Sequence, residues 1–212
     1  MTIQAVVFDI GETLTSDTRY WTYWAHWFDV PPHTMSALVG HVLAQGLDNA
    51  EALRILRPDC DIDAEWQARQ AAGQGERLEE SDLHPDVRPA LRQLRDAGRW
   101  VGITGNQNAA VTGLLRALDL PADAIATSGE WGVSKPAPAF FERVADWTHG
   151  ERSRTVYVGD HPANDITPAK AAGLRTAHLR RGPIGLTTRA PDADWTVDSL
   201  TDLADMIVRQ LD

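Results

Sequence analysis

The chain has 212 residues, 43% hydrophobic and 24% charged, with 20 basic against 30 acidic side chains and a formal net charge of −10. This is enough apolar material for one domain with a large insertion or for two small ones. The acidic balance and the lack of a basic run argue against a nucleic-acid or anionic-membrane surface. No apolar run is long enough to span a bilayer, and the N-terminal stretch reads as the first core strand rather than as a signal or transit peptide. One cysteine, Cys60, allows no intramolecular disulfide, consistent with a reducing cytoplasm. Its neighbours Asp59 and Asp61 disfavour the thiolate, so it reads as non-catalytic.

In chain order, the first element is a short apolar run, Ala5-Val6-Val7-Phe8, that stops at Asp9 and is followed by Gly11, Glu12, Thr13 and Leu14. The run is too short for a typical helix and rich in β-branched residues, so it reads as a buried strand. An acid at its end falls on the carboxyl edge of a sheet, where open α/β sheets place their ligands. Residues 17–80 carry helical patterns and no clear strand. A helix over 19–28 puts Tyr20, Trp24, Trp27 and Phe28 on one face and ends at Pro31-Pro32. A second over 34–45 carries Met35, Leu38 and Val42 and stops at Gly46. Short helices over 48–56 and 64–72 follow, closed by Gly73 and Gly75. The aromatic stripe reads first as helical core, with a Trp or His26 roofing a substrate pocket as the alternative.

From residue 86 the pattern alternates. Helices are expected over 87–97, 108–118, 138–147, 165–172 and 199–211, and strands over 100–103, 124–126, 155–158, 174–179 and 195–197. Gly98 and Gly173 mark stops, Ser199 caps the last helix, and Leu200, Leu203, Ile207 and Leu211 line one of its faces. Alternation of this kind implies an α/β, Rossmann-like core: a parallel sheet with helices on both faces, built from residues 1–16 and 81–212. The helical block at 17–80 is then an insertion after the first strand.

Four signals fall at strand ends or the loops above them. Asp9 ends the first strand, Thr104 ends the second, Lys135 sits in Gly-Val-Ser-Lys-Pro before a helix, and Asp160 ends the fourth, with Asp165 just beyond. Lys135 stands out because the only other lysine is Lys170. Singly, these read as a turn residue, a solvated charge and helix-capping acids; their coincidence points to a site. Converging carboxylates suit Mg²⁺, a hard cation that takes few protein ligands. Asp9 can be both ligand and nucleophile, Thr104 and Lys135 can hold phosphoryl oxygens, and N–H groups after Thr104 add donors at a helix start. Phosphoryl transfer is mostly positioning and charge neutralisation, so this inventory nearly suffices. Arg180-Arg181 read as surface residues.

These segments resemble the four motifs of the haloacid dehalogenase superfamily of hydrolases, mostly phosphatases: VVFDIGETL, GITGN, GVSKPAPAFF and YVGDHPANDITPAKAAG, in order over nearly the whole chain. An α-helical insertion after the first motif resembles the small cap domain of one subfamily. The resemblance implies that Asp9 attacks phosphorus to give an aspartyl-phosphate, with Thr104 and Lys135 holding the phosphoryl group and Gly105 and Asn106 completing the phosphate cradle. It implies Mg²⁺ on Asp9, the carbonyl of Gly11, Asp160 and Asp165, the last through water. The expected partner is a small phosphorylated substrate in the cytoplasm, with neither nucleic acid nor membrane. One departure matters: the family's second acid in the first motif, which protonates the leaving group and activates water, is Gly11 here. The implied readings are a phosphatase with a donor moved to Glu12, Asp17, His26 or His33, a hydrolase of good leaving groups such as acyl phosphates, a Mg²⁺-independent dehalogenase-like hydrolase, or a retired phosphate-binding or regulatory protein. The paired Asp160 and Asp165 weigh against the dehalogenase, and the absence of lysine from residues 17–80 rejects Schiff-base phosphonate hydrolysis.

Overall fold

The computed structural model describes residues 2–209, so Leu211 lies outside the described residues. It contains two compact units, Asp17–Arg77 and the chain on either side of it. The larger unit is built on six parallel strands: β1 (Ala5–Phe8), β2 (Trp100–Gly105), β3 (Ala124–Thr127), β4 (Thr155–Gly159), β5 (Arg175–Leu179) and β6 (Trp195–Val197). Their spatial order is β3-β2-β1-β4-β5-β6. β1 is central and covered on both faces, which is why it reads as an unbroken apolar run rather than an alternating one.

Successive residues of each strand feed opposite faces. Val6, Phe8, Val101, Ile103, Val156 and Val158 enter one apolar cluster. The helices Val87–Asp96 (α5), Ala109–Ala117 (α6) and Leu200–Arg209 (α11) bury Leu91, Leu94, Leu115, Leu203 and Ile207 in it. Val7 and Tyr157 point the other way, into a cluster closed by Pro138–Trp147 (α8) and Thr167–Ala171 (α9). Full burial of each such large side chain contributes about 1.5–3 kcal/mol. Two short helices escape the sequence patterns: Ser128–Trp131 (α7) and Gly182–Thr187 (α10). Each is less than two turns, too short for a period to show. The expected 165–172 helix is divided into a π-turn over Pro162–Ile166 and α9.

The helical unit comprises α1 (Thr18–Trp27), α2 (Pro32–Ala44), α3 (Glu51–Leu56) and α4 (Ile62–Ala71). Its core holds Trp21, Trp24, Ala25, Met35, Val39, Val42 and Leu53. The buried stripe of α1 is thus Trp21, Trp24 and Ala25; Tyr20 is 36% exposed. On α2, Val39 takes the buried place given to Leu38 in the pattern reading, and Leu38 packs against the cluster from its edge. Pro32 is not a terminator. α1 has already ended at Trp27, with Asp29 in the left-handed region at φ 53°, and Pro32 opens α2, where its missing N–H costs nothing.

The chain leaves and re-enters the α/β unit as a short antiparallel ribbon. Thr15 and Leu83 form an antiparallel bridge, the Ser16 N–H donates to the Asp82 carbonyl at 2.8 Å, and the His84 N–H to that of Leu14 at 3.0 Å. Leu78 already packs with the α/β core, so the helical unit closes before the boundary at residue 80. Among the described residues no helix is long and apolar enough to cross a membrane.

Candidate active site

Strand order reverses at β1, which has β2 on one side and β4 on the other. Such a switch point opens a crevice at the carboxyl ends of the strands. Asp9 emerges there, its N–H held by the Val158 carbonyl at 2.9 Å. Thr104 stands near the end of β2, Asp160 follows β4, Asp165 lies in the π-turn, and Lys135 lies in the loop between α7 and α8. All five side chains are buried. Lys135 Nζ lies 2.6 Å from Asp9 Oδ1 and 2.6 Å from Asp165 Oδ1. Asp165 Oδ2 accepts the His161 N–H at 2.9 Å, so both its oxygens have protein partners. Carboxylate oxygens of Asp9, Asp160 and Asp165 lie within 4.8 Å of one another.

Two glycines make this closeness possible. A Cβ on Gly105 would fall far inside 3.0 Å of Asp9 Oδ1, and one on Gly159 would strike the Asp165 carboxylate. The Asn106 side chain clamps Lys135 from both sides, its Nδ2 donating to the Lys135 carbonyl at 2.9 Å and its Oδ1 accepting the Lys135 N–H at 2.8 Å. Thr104 Oγ1 is buried without a hydrogen-bond partner. A buried hydroxyl left so is costly, and marks a place where a polar group is to be received.

The electrostatics are those of a crowded acidic site. Burial pushes the Asp9 carboxyl up to about 6, against the pull of Lys135 and with a further push from Asp165. Burial, then Asp165 and Asp9, hold Asp160 well above the ordinary carboxylate range. Burial works against the Lys135 ammonium, but Asp165 and Asp9 outweigh it and raise its pKa. Three carboxylates thus face one ammonium, and the set has unspent negative charge.

Gly11 forms a bridge with Thr15, and the Ile10 carbonyl accepts the N–H groups of Leu14 at 2.8 Å and Thr15 at 3.0 Å, which coils the chain after Asp9 into a tight loop. Glu12 takes φ 53° at its crest. Its side chain lies against Gly182, where an added Cβ would sit 2.7 Å from Glu12 Cβ.

Two supporting residues, Tyr157 and His178, were not singled out from sequence, and a third, Arg181, reads there as surface. The Tyr157 hydroxyl donates to the Thr104 carbonyl at 3.0 Å, spanning β1 from β4 to β2, and its ring centre lies 5.7 Å from Lys135 Nζ. His178 Nε2 lies 3.2 Å from the Asp160 carbonyl. Arg181 is not a surface residue: it donates to the Thr13 carbonyl at 2.9 Å and pairs with Asp86 at 2.5 Å, bracing the loop after Asp9. The only signal available for Tyr157 was a phenol on an otherwise apolar strand.

Residues 3–173 match the family described as haloacid dehalogenase-like hydrolase. A ribulose-1,5-bisphosphate 5-phosphatase of Halopiger xanaduensis is 30% identical over 209 residues, 94% of this chain and 76% of that protein. A glyceraldehyde 3-phosphate phosphatase of Methanopyrus kandleri is 33% identical over 135 residues, 60% of this chain and 57% of that protein. Among solved structures, the magnesium-bound orthorhombic crystal form of YfnB from Bacillus subtilis superposes with a TM-score of 0.74 at 16% identity, covering 98% of this chain and 99% of that one.

Proposed function

This chain belongs to the haloacid dehalogenase-like hydrolases, and we propose that it is a Mg²⁺-dependent phosphatase acting on a small phosphorylated metabolite, with the helical unit as its cap. The observation that carries this reading is the buried Asp9–Lys135–Asp165 network beside the unpartnered Thr104 hydroxyl at the switch point of the sheet. The two phosphatases to which the chain is similar support it.

The donor set suits Mg²⁺: all oxygen, buried, and carrying more negative charge than Lys135 offsets. Asp9, Asp160 and the Gly11 carbonyl would hold the ion directly, and Asp165, whose oxygens serve Lys135 and His161, would act through water. When bound, the ion neutralises phosphoryl charge and favours the ionised form of Asp9.

Asp9 attacks phosphorus. An Oδ–P bond forms, the ester P–O bond breaks, and the leaving oxygen departs as an alkoxide or alcohol. Water then attacks the aspartyl-phosphate, releasing inorganic phosphate and regenerating the carboxylate. Lys135 and Thr104 Oγ1 hold phosphoryl oxygens through both steps. The N–H groups of Gly105 and Asn106 complete the cradle, while the Asn106 amide is spent on fixing Lys135. Gly11 offers no carboxyl to protonate the leaving group, and Glu12 is turned onto Gly182. Proton help is typically worth about 10²–10⁴ in rate, so esters with acidic leaving groups turn over fastest.

The test is hydrolysis of a series of aryl and alkyl phosphates with Mg²⁺. The expected result is turnover that Asp9→Asn and EDTA abolish, with a steep dependence on leaving-group pKa. Haloacid turnover undiminished by EDTA, or phosphatase activity retained by Asp9→Asn, would overturn the reading.

A further inference from the structure

Of the three carboxylates that crowd the site, one has no protein donor on its oxygens. Asp9 and Asp165 each lie 2.6 Å from Lys135 Nζ, and Asp165 also accepts the His161 N–H. Among the described residues no donor reaches the Asp160 carboxylate. Its direction is therefore fixed through its main chain and its Cβ. The preceding residue restrains it least of all: Asp160 follows Gly159, the last residue of β4, and glycine leaves φ and ψ widest.

Two contacts from outside β4 hold Asp160. His178, on β5, is in register with Gly159 and 1% exposed. Its Nε2 lies 3.2 Å from the Asp160 carbonyl, an oxygen that can only accept, so Nε2 carries the proton. Nδ1 is then a bare lone pair, buried without a partner. A buried polar atom left so is destabilising. An apolar side chain would fill this place without it, so packing alone does not explain an imidazole here. The second contact is Gly185, in α10. A Cβ there would lie 3.2 Å from Asp160 Cβ, 3.3 Å from the Asp160 carbonyl oxygen and 2.6 Å from the Leu179 carbonyl oxygen. The helix thus lies on Asp160 at a closeness that a side chain would not permit. Between these two residues, Arg181 donates to the Thr13 carbonyl at 2.9 Å and Gly182 lies against Glu12. The stretch that meets Asp160 is therefore also tied to the loop after Asp9.

Mg²⁺ demands a near-ideal octahedron of oxygens and tolerates little displacement of a ligand. A carboxylate without a hydrogen bond of its own points where its backbone sends it. We propose that His178 and Gly185 are positioning residues for Asp160. The imidazole holds its carbonyl, the glycine seats α10 on its Cβ, and together they set the direction of its carboxylate and the affinity of the site for a divalent cation. The inference rests on the Mg²⁺ site proposed above and adds to it two residues outside the ligand set.

The experiment titrates Mn²⁺, which takes the same oxygen octahedron as Mg²⁺, into the metal-free full-length protein without substrate. Free ion is counted by electron paramagnetic resonance, and circular dichroism confirms each fold. His178→Leu, His178→Gln and Gly185→Ala are compared with the native chain. None of them introduces a charge, so a change in Kd reports the placing of Asp160. The expected result is a Kd raised about tenfold or more in His178→Leu and Gly185→Ala, the scale on which loss of a ligand's outer partner acts. His178→Gln, whose amide can donate to the same carbonyl, should stay within about threefold of native. A Kd within about twofold of native in folded His178→Leu or folded Gly185→Ala would overturn the proposal, and either variant decides alone should the other not fold. A native protein that binds no Mn²⁺ displaceable by Mg²⁺ would refute the metal site and the inference with it. Native binding with unmoved variants refutes the inference alone.

Discussion

Replacing Gly105 with alanine tests the geometry of Asp9, the proposed nucleophile, without touching its chemistry. The new Cβ would fall inside 3.0 Å of Asp9 Oδ1 and also meet Ile10 N at 3.3 Å and Ile10 Cδ1 at 3.4 Å. Asp9 cannot yield freely, because the same oxygen is held 2.6 Å from Lys135 Nζ. The overlap forces a displacement of roughly 0.5–1 Å in the carboxylate, in the strand end, or in both. A misplacement of that size costs about 10²-fold in rate, or about 2.7 kcal/mol of barrier. Gly113→Ala is the control: it lies in α6, and an added Cβ there meets nothing within 4 Å. That change should leave activity intact and raise stability by about 0.5–1 kcal/mol through helix propensity. The assay is kcat/KM on an aryl phosphate, alongside circular dichroism and the thermal midpoint of each variant. The reasoning fails if folded Gly105→Ala keeps more than about a third of native kcat/KM.

Tyr157→Phe removes the donor to the Thr104 carbonyl and leaves that oxygen buried without it. We expect a loss of about 1–3 kcal/mol in denaturant unfolding and a several-fold fall in kcat. Arg181→Met frees the Thr13 carbonyl and strips Asp86 of its cation; about 2 kcal/mol should be lost, and hydrogen exchange should quicken in the loop after Asp9. His84 is held below its usual pKa of 6.5, first by burial and then by Arg181. The unfolded chain therefore takes up more protons than the folded one below that pH, and stability contributed by neutral His84 is lost as pH falls from about 6.5. Comparing His84→Gln with the native chain in urea between pH 7.5 and 5 should show a smaller acid loss in the variant; identical slopes would refute it.

The residues that end strands were legible because the pattern that marks a buried strand also marks its last residue, and four of the site's side chains (Asp9, Thr104, Asp160 and Asp165) occupy such ends or the turn just beyond, while Lys135, after α7, stood out by the rarity of lysine. What holds them was not legible. Tyr157 reaches from β4 to β2, and Arg181 reaches back to Thr13; neither spacing has a period, and a pair of arginines after a strand reads as solvent-facing. Asn106 showed the converse limit: its place after Thr104 suggested a phosphate ligand, whereas its side chain is engaged with the main chain of Lys135. Pro32 was misread for a local reason, since proline stops one helix and starts another with equal ease, and only the left-handed turn at Asp29 shows which. In the helical unit Trp24, Met35 and Val42 are buried as expected, while Trp21 and Val39 take the places expected of Tyr20 and Leu38, because a crowded apolar run fits more than one face.

The ribbon at residues 14–16 and 82–84 has an evolutionary reach. Two backbone bonds and one bridge tie the outgoing and returning chain side by side at the root of the helical insertion. A segment attached in this way can be exchanged, lengthened or trimmed to a short turn without re-registering any strand. Selection can therefore vary the helical insertion in one stretch of gene while the strands that carry Asp9, Thr104 and Asp160 keep their register. A chimera carrying another relative's helical insert on this ribbon should fold, and should take its substrate range from the donor.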